Sequence, residues 1–382
     1  MKQDLFFMPL GGGQNVGASC YYLKLGNSNI LLDAGIGIKN GLIFEPNLYS
    51  LKTSPFIESL NQIDQIFISH AHADHVGYLL KLMKDTTKTS VYMTKITKLL
   101  TRYQLYDKNF LTNQNKEEEA RLAAQSILDN VTDVTFMKTL SFKNYKVTFF
   151  PAGHIPGAMM MLFETDKRKI LYTGDYSIEN TPLTKGCFIP ENYGIDTVIM
   201  CGLHAKHPNY IKKSNTLYKT INKIYQSIYC GQSVLCQVSQ LSKGIEFIKA
   251  LTEQNHNHVP IYIDTSILPI IEKMEQLSIP ILNIDTHIKN NTNPNKPHIY
   301  ITSNNKVYHL QDYKTLKIDF SLHEDFSEME TFIKKINPKH VVMVHCSKTH
   351  SDQDDTIEQK LMRDSECQTQ FTFAEENEIY KL

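Results

Sequence analysis

Ser69-His70-Ala71-His72-Ala73-Asp74-His75 is the stretch on which the reading of this 382-residue chain turns. Three histidines and one aspartate follow directly on the apolar run Gln65-Ile66-Phe67-Ile68. Such a run reads as a buried strand, and its end carries the polar loop. Val76, Leu79, Leu80 and Met83 come next at helical spacing, which predicts a helix after the loop. A strand end holds a loop firmly, so several imidazoles on it can converge on one point. Neutral imidazole nitrogen and carboxylate oxygen are ligands that zinc accepts. The competing reading is a polar surface turn, and the apolar strand ahead of the loop argues against it.

Three later apolar runs end in the same residue types. Val147-Thr148-Phe149-Phe150 leads through Pro151-Ala152-Gly153 to His154. Lys169-Ile170-Leu171-Tyr172-Thr173-Gly174 leads to Asp175, and Val341-Val342-Met343-Val344 leads to His345. Each alone is a weak signal, because a lone histidine at a strand end is more often a hydrogen-bonded structural residue. In this order, each closing an apolar run, they extend the ligand set. Asp33 closes a further run, Ile30-Leu31-Leu32. The glycine-rich stretch Gly11 to Ala18 is not a nucleotide loop: Ala18 stands where a P-loop needs lysine, and Val16 where a dinucleotide fingerprint needs glycine. It reads as a tight turn between strands.

His70, His72, Asp74 and His75 reproduce the pattern His-x-His-x-Asp-His, and the chain thereby resembles the metallo-β-lactamase superfamily. The resemblance implies an α/β protein with the four-layer αββα fold. It also implies two Zn²⁺ ions, one on His70, His72 and His154 and one on Asp74, His75 and His345, with Asp175 bridging. The same ligand types accept manganese or iron. Asp33 would orient the ligand loop, its alternative role being an Asx turn. The glycine-rich turn would lie near the metals.

The long interval between Asp175 and His345 resembles the insertion of the β-CASP nuclease branch, to which ribonuclease J and the polyadenylation endonucleases belong. The expected limits are 1–200 for the first part of the core, 201–315 for an inserted α/β cap, and 316–382 for the returning part. A cleft under the cap would receive substrate. Within the insertion the signature is degenerate: in Gln237 to Glu246 only Lys243, for arginine, and Glu246 keep the pattern's character. Val259 to Ser266 resembles the branch's strand ending in Asp-Ser. Phe320-Ser321-Leu322-His323-Glu324-Asp325 resembles Phe-Ser-x-His-x-Asp, whose histidine faces the scissile phosphate. His323, Asp74 and Asp175 are thus the implied catalytic residues. Two departures stand out. Cys201 occupies the place of an acid that would pair with His323, and Cys346-Ser347 replaces Gly-Glu. His204 and His207 follow Cys201 but read as surface-loop residues.

Composition narrows the classes. Forty basic and forty acidic residues balance, so nucleic acid could be held only by a local basic patch. One candidate is the pattern over 212–229, where Lys212, Lys213, Lys219 and Lys223 alternate with Tyr218, Tyr225 and Tyr229; a solvated helix face is the plainer reading. The seven cysteines include no Cys-x-x-Cys pair, which predicts reduced thiols and a cytoplasmic protein. Leu5-Phe6-Phe7-Met8 is too short for a signal peptide, and no run approaches a membrane span. The expected activity is a phosphodiesterase or nuclease acting on RNA, or on DNA, through a hydroxide between two metals. Two alternatives stay open: a binding subunit that has lost catalysis, and a hydrolase of small esters or thioesters. Assembly as a homo-oligomer or within a protein complex is compatible with all three.

Overall fold

The computed structural model describes residues 5–86, 88–105, 117–208, 210, 216–255, 258–282, 296–304, 313–346, 356–363 and 368–382. The stretch 287–297, whose asparagines and prolines read as a surface loop, falls almost wholly outside them, as do Lys212, Lys213 and Ser347.

Two compact units divide the chain: Met1–Glu179, Gly186–Ile211 and His323–Leu382 form one, and Asn180–Lys185 with Lys212–Leu322 the other. The first unit contains two mixed seven-stranded sheets. One runs in the order Tyr380–Lys381, Leu5–Gly11, Cys20–Leu25, Ser28–Leu32, Gln65–Phe67, Ser90–Thr94, Thr132–Val134. The other runs Gln370–Phe373, His340–Val344, Thr197–Cys201, Lys169–Tyr172, Met159–Glu164, Lys146–Pro151, Thr139–Ser141. Alternate side chains of the two sheets share one core. Phe7, Tyr21, Leu23 and Phe67 from the first meet Phe149, Met161, Phe163, Ile170 and Val342 from the second. The opposite face of the first sheet, with Tyr22, Leu31 and Ile66, is covered by Leu48, Leu51, Leu79 and Leu82 from helical segments. The α/β layering expected of the resemblance is therefore present.

Both sheets aim their loops at one end. Gln65–Phe67 is parallel to Ser28–Leu32, so Asp33 and Ser69 leave the sheet side by side. Lys169–Tyr172, Thr197–Cys201 and His340–Val344 are parallel neighbours, which brings Asp175, Cys201 and His345 to the same edge.

The helix expected after the ligand loop is broken in two, Ala73–Val76 and Leu79–Asp85. The cause is visible in the backbone. The Asp74 carbonyl accepts from Ser19 N–H at 2.8 Å and the His75 carbonyl from Ala34 N–H at 2.8 Å, so neither continues a helical ladder. Tyr78 N–H turns to the Ala34 carbonyl, also at 2.8 Å. Gly35 permits this approach, since a Cβ there would stand 1.7 Å from the Asp74 carbonyl oxygen.

The second unit carries a four-stranded parallel sheet in the order Ile261–Ile263, Ile299–Thr302, Ser233–Gln237, Tyr313–Lys317. Helix Thr216–Tyr229 buries Leu217, Ile221, Ile224, Tyr225 and Ile228, while Tyr218 and Tyr229 remain exposed. Among the described residues, no helix is long and apolar enough to cross a membrane.

Candidate metal centre

Two donor sets form where the loops of the first unit converge. His70, His72, His154 and Asp175 make one, and Asp74, His75 and His345 the other. His72 Nδ1 lies 3.1 Å from both His70 Nε2 and His154 Nε2. Asp175 Oδ2 lies 3.7 Å from His70 Nε2, 3.8 Å from His154 Nε2 and 3.5 Å from His75 Nε2. In the second set, Asp74 Oδ2 and His345 Nε2 are 3.7 Å apart. Tetrahedral ligands at zinc's usual bond lengths of 2.0–2.1 Å would sit about 3.3 Å from one another. The spacing therefore fits donors arranged around cations. A second observation agrees: Asp175 is buried, and neither carboxylate oxygen has a hydrogen-bond partner among the described residues. A buried carboxylate left like this is costly unless a cation meets it.

The electrostatics of the first set suit ligation, whereas in the second burial is overcome by Asp175 and Asp33, which raise His75 well above the usual imidazole range. Burial, reinforced by His75, holds His70 well below the usual imidazole range, and burial with His154 brings His72 down to about 3. Both are neutral, as metal ligands must be. Burial opposes ionisation of Asp175, but His75, His345 and His323 outweigh it and hold the carboxyl well below its ordinary value.

The surrounding layer fixes ring orientation. Asp33 Oδ2 accepts from His75 Nδ1 at 2.7 Å and from the Tyr172 hydroxyl at 2.6 Å, while Ser69 N–H donates to Oδ1 at 2.6 Å. With Nδ1 bound to Asp33, His75 Nε2 is left to face the donor set. Ser19 Oγ lies 3.0 Å from His345 Nδ1 and does the same for that ring. The glycine-rich turn closes the site from the far end of the chain, its Gly12 carbonyl accepting from His345 N–H at 2.6 Å. Gly12 has φ +67, a conformation costly for residues with a Cβ.

His323 lies outside these two sets and makes a third possible donor group with Asp175 and Cys201. Its Nδ1 is 3.6 Å from Asp175 Oδ2, its ring 4.6 Å from that of His154, and its side chain is 22% exposed. Cys201 is buried at its strand end, its sulfur within 4.8 Å of donor atoms of Asp175 and His323. His204 stacks on Tyr210 at 3.7 Å, and neither it nor His207 belongs to these clusters. Sequence reading missed Ser19, Ser69, Tyr172 and the buried Glu324.

Residues 13–198 match the family described as the metallo-beta-lactamase superfamily. Residues 313–360 match the Zn-dependent metallo-hydrolase RNA specificity domain. The chain belongs to the metallo-β-lactamase superfamily. It is 30% identical over 328 residues to the cleavage and polyadenylation specificity factor 73 of Drosophila melanogaster, covering 80% of this chain and 44% of that protein. It is 29% identical over 278 residues to RNase aCSPSF2 of Saccharolobus solfataricus, covering 72% and 53%. To endoribonuclease ysh1 of Aspergillus fumigatus it is 28% identical over 277 residues, covering 68% and 30%. The chain thus spans about a third to a half of the length of these relatives. A protein of unknown function from Enterococcus faecalis V583 shares the fold with a TM-score of 0.69 at 14% identity, covering 99% of this chain and 100% of that one. This superfamily member carries a His/Asp cluster that could hold metal, and it is a distant homologue of proteins named endoribonucleases.

Proposed function

We propose that the protein is a phosphodiesterase that cleaves RNA, using two zinc ions. The observation that carries the reading is His323: an imidazole outside those two donor sets, partly open to solvent, 3.6 Å from the buried Asp175 carboxylate. The match of residues 313–360 to an RNA specificity domain and the likeness to endoribonucleases support the substrate class.

His70, His72 and His154 would hold one ion, Asp74, His75 and His345 the other, and Asp175 both. Bound there, the ions supply Lewis acidity towards water and a phosphoryl oxygen. The protein's own groups do the rest. Asp175 and Asp74 would offset part of the ionic charge, and Asp74, less buried than its neighbours, would orient the attacking water. Burial, with His154, keeps His323 well below the usual imidazole range although Asp175 opposes this. A ring N–H of His323 would donate to a phosphoryl or leaving oxygen.

The experiment is cleavage of end-labelled single-stranded RNA, and of DNA of the same sequence, by zinc-loaded protein. RNA should be cut. His323→Ala should lower turnover about 10²–10⁴-fold, the range of general acid–base catalysis, with zinc content unchanged. Loaded protein that leaves RNA intact while hydrolysing a thioester would overturn the reading, and loss of zinc in His323→Ala would overturn the role of His323.

A further inference from the structure

Directly after His323 the chain buries an acid that the mechanism above does not use. Glu324 has no exposed surface, and among the described residues no hydrogen bond of ordinary geometry reaches either carboxyl oxygen. The Cys201 thiol, a weak donor, interacts with it as well as with Asp175. Cys201 is held at the end of the central strand Thr197–Cys201, whose neighbours carry the loops of Asp175 and His345, and its N–H donates to Thr173 Oγ1 at 3.2 Å. Its sulfur lies within 4.8 Å of donor atoms of both Asp175 and His323. The thiol thus interacts with Glu324 and lies near both the Asp175 carboxylate and the His323 imidazole.

A carboxyl placed like this costs the fold. It is cut off from water and left with a poor donor, and burial together with Asp175 holds it well above the ordinary carboxyl range. An apolar residue of similar size would fold more cheaply. The cost is offset only if the acid acts towards the centre, where divalent cations would supply the opposing charge. Through the thiol it can do so without touching a cation or the substrate.

We infer that Glu324 is the positioning acid of this centre, fixing Asp175 and His323 through the thiol of Cys201. The inference deepens the proposed hydrolytic function and rests on it. It treats Cys201 and Glu324 as one unit, in which the carboxyl need not stand on a particular one of the two residues.

Three variants test it at saturating zinc: Glu324→Gln, which keeps shape and removes the acid; Glu324→Ala; and Cys201→Glu combined with Glu324→Ala. The single variants should lose 10–100-fold in kcat, the usual worth of residues that orient ligands, with KM for RNA and zinc content unchanged. The double variant should recover most of that loss. In cobalt-substituted protein the visible absorption, which reports the ligand field set by Asp175, should shift in Glu324→Gln and return in the double variant. A folded Glu324→Gln protein with wild-type kcat and an unshifted cobalt spectrum would overturn the inference. So would a double variant no better than Glu324→Ala in both readouts. Should loaded wild-type protein cleave no RNA, the proposed function falls, and the cobalt spectra alone decide whether Glu324 positions Asp175.

Discussion

Asp33 accepts from Ser69 N–H, Ser69 Oγ, His75 Nδ1 and the Tyr172 hydroxyl, all between 2.6 and 2.7 Å. Four donors on one buried carboxylate leave no room for an amide, whose nitrogen would confront at least one of them. The backbone would tolerate the change, because Asp33 has φ +62, where asparagine is also at home. Asp33→Asn should therefore fold and yet bind zinc about 10–100-fold more weakly, measured by competition with a chromophoric chelator. Unchanged affinity would show that the ligand loop holds its own shape. Asp33 could be singled out in the sequence because it ends an apolar run, as the ligands do. Tyr172 could not. It looks like one more apolar residue of a strand, and only the packing of two sheets brings its hydroxyl to Asp33. Glu324 was hidden for a related reason. The absence of an acid at Cys201 can be read from one position, whereas an acid facing that thiol from residue 324 depends on a contact between distant segments.

At the level of elements, most strands of both units were legible as short apolar runs, and the reason is burial on both faces. The helix after the ligand motif was legible in kind but not in its break. Its apolar spacing is continuous, and the interruption comes from Ser19 and Ala34, which capture the carbonyls of Asp74 and His75. The segment Asn180–Lys185 carries no signal of its own. It joins the second unit because Glu246, on helix Lys243–Glu253, accepts from the Thr181 hydroxyl at 2.7 Å and from Leu183 N–H at 2.9 Å. Burial raises the Glu246 carboxyl from 4.5 to about 7, against the lowering effect of those two bonds. The folded state then binds more protons than the unfolded state between these values. Stability is fully present below about 4.5, falls as pH rises to about 7, and levels above it. The loss is on the order of 3 kcal/mol at most, from 1.36 kcal/mol for each pH unit. Glu246→Gln should abolish that slope. Urea unfolding of the two proteins at pH 5 and pH 8 checks this: parallel losses in both would refute it.

For the whole molecule, the donor sets tie together segments that local structure does not connect: the loop at 70–75, the two strand ends at 154 and 175, and the returning strand at 345. Ions that bind only the folded chain stabilise it by mass action, about 4 kcal/mol when free metal stands at a thousand times Kd. For a unit of this size, chelation should lower the melting temperature by about 10 °C, and zinc should restore it. Calorimetry with and without EDTA is the measurement, and an unmoved transition would mean that the centre assembles without cations.

The closing contact, His345 N–H on the Gly12 carbonyl at 2.6 Å, joins segments that lie far apart in the sequence. Synthesis runs in one direction. A polypeptide still emerging from the ribosome presents His70, His72, His154 and Asp175 long before His345 exists. All residues of one donor set are thus synthesised before the last member of the other, His345. A message truncated between Asp175 and His345 would encode the whole of the first set and only Asp74 and His75 of the second.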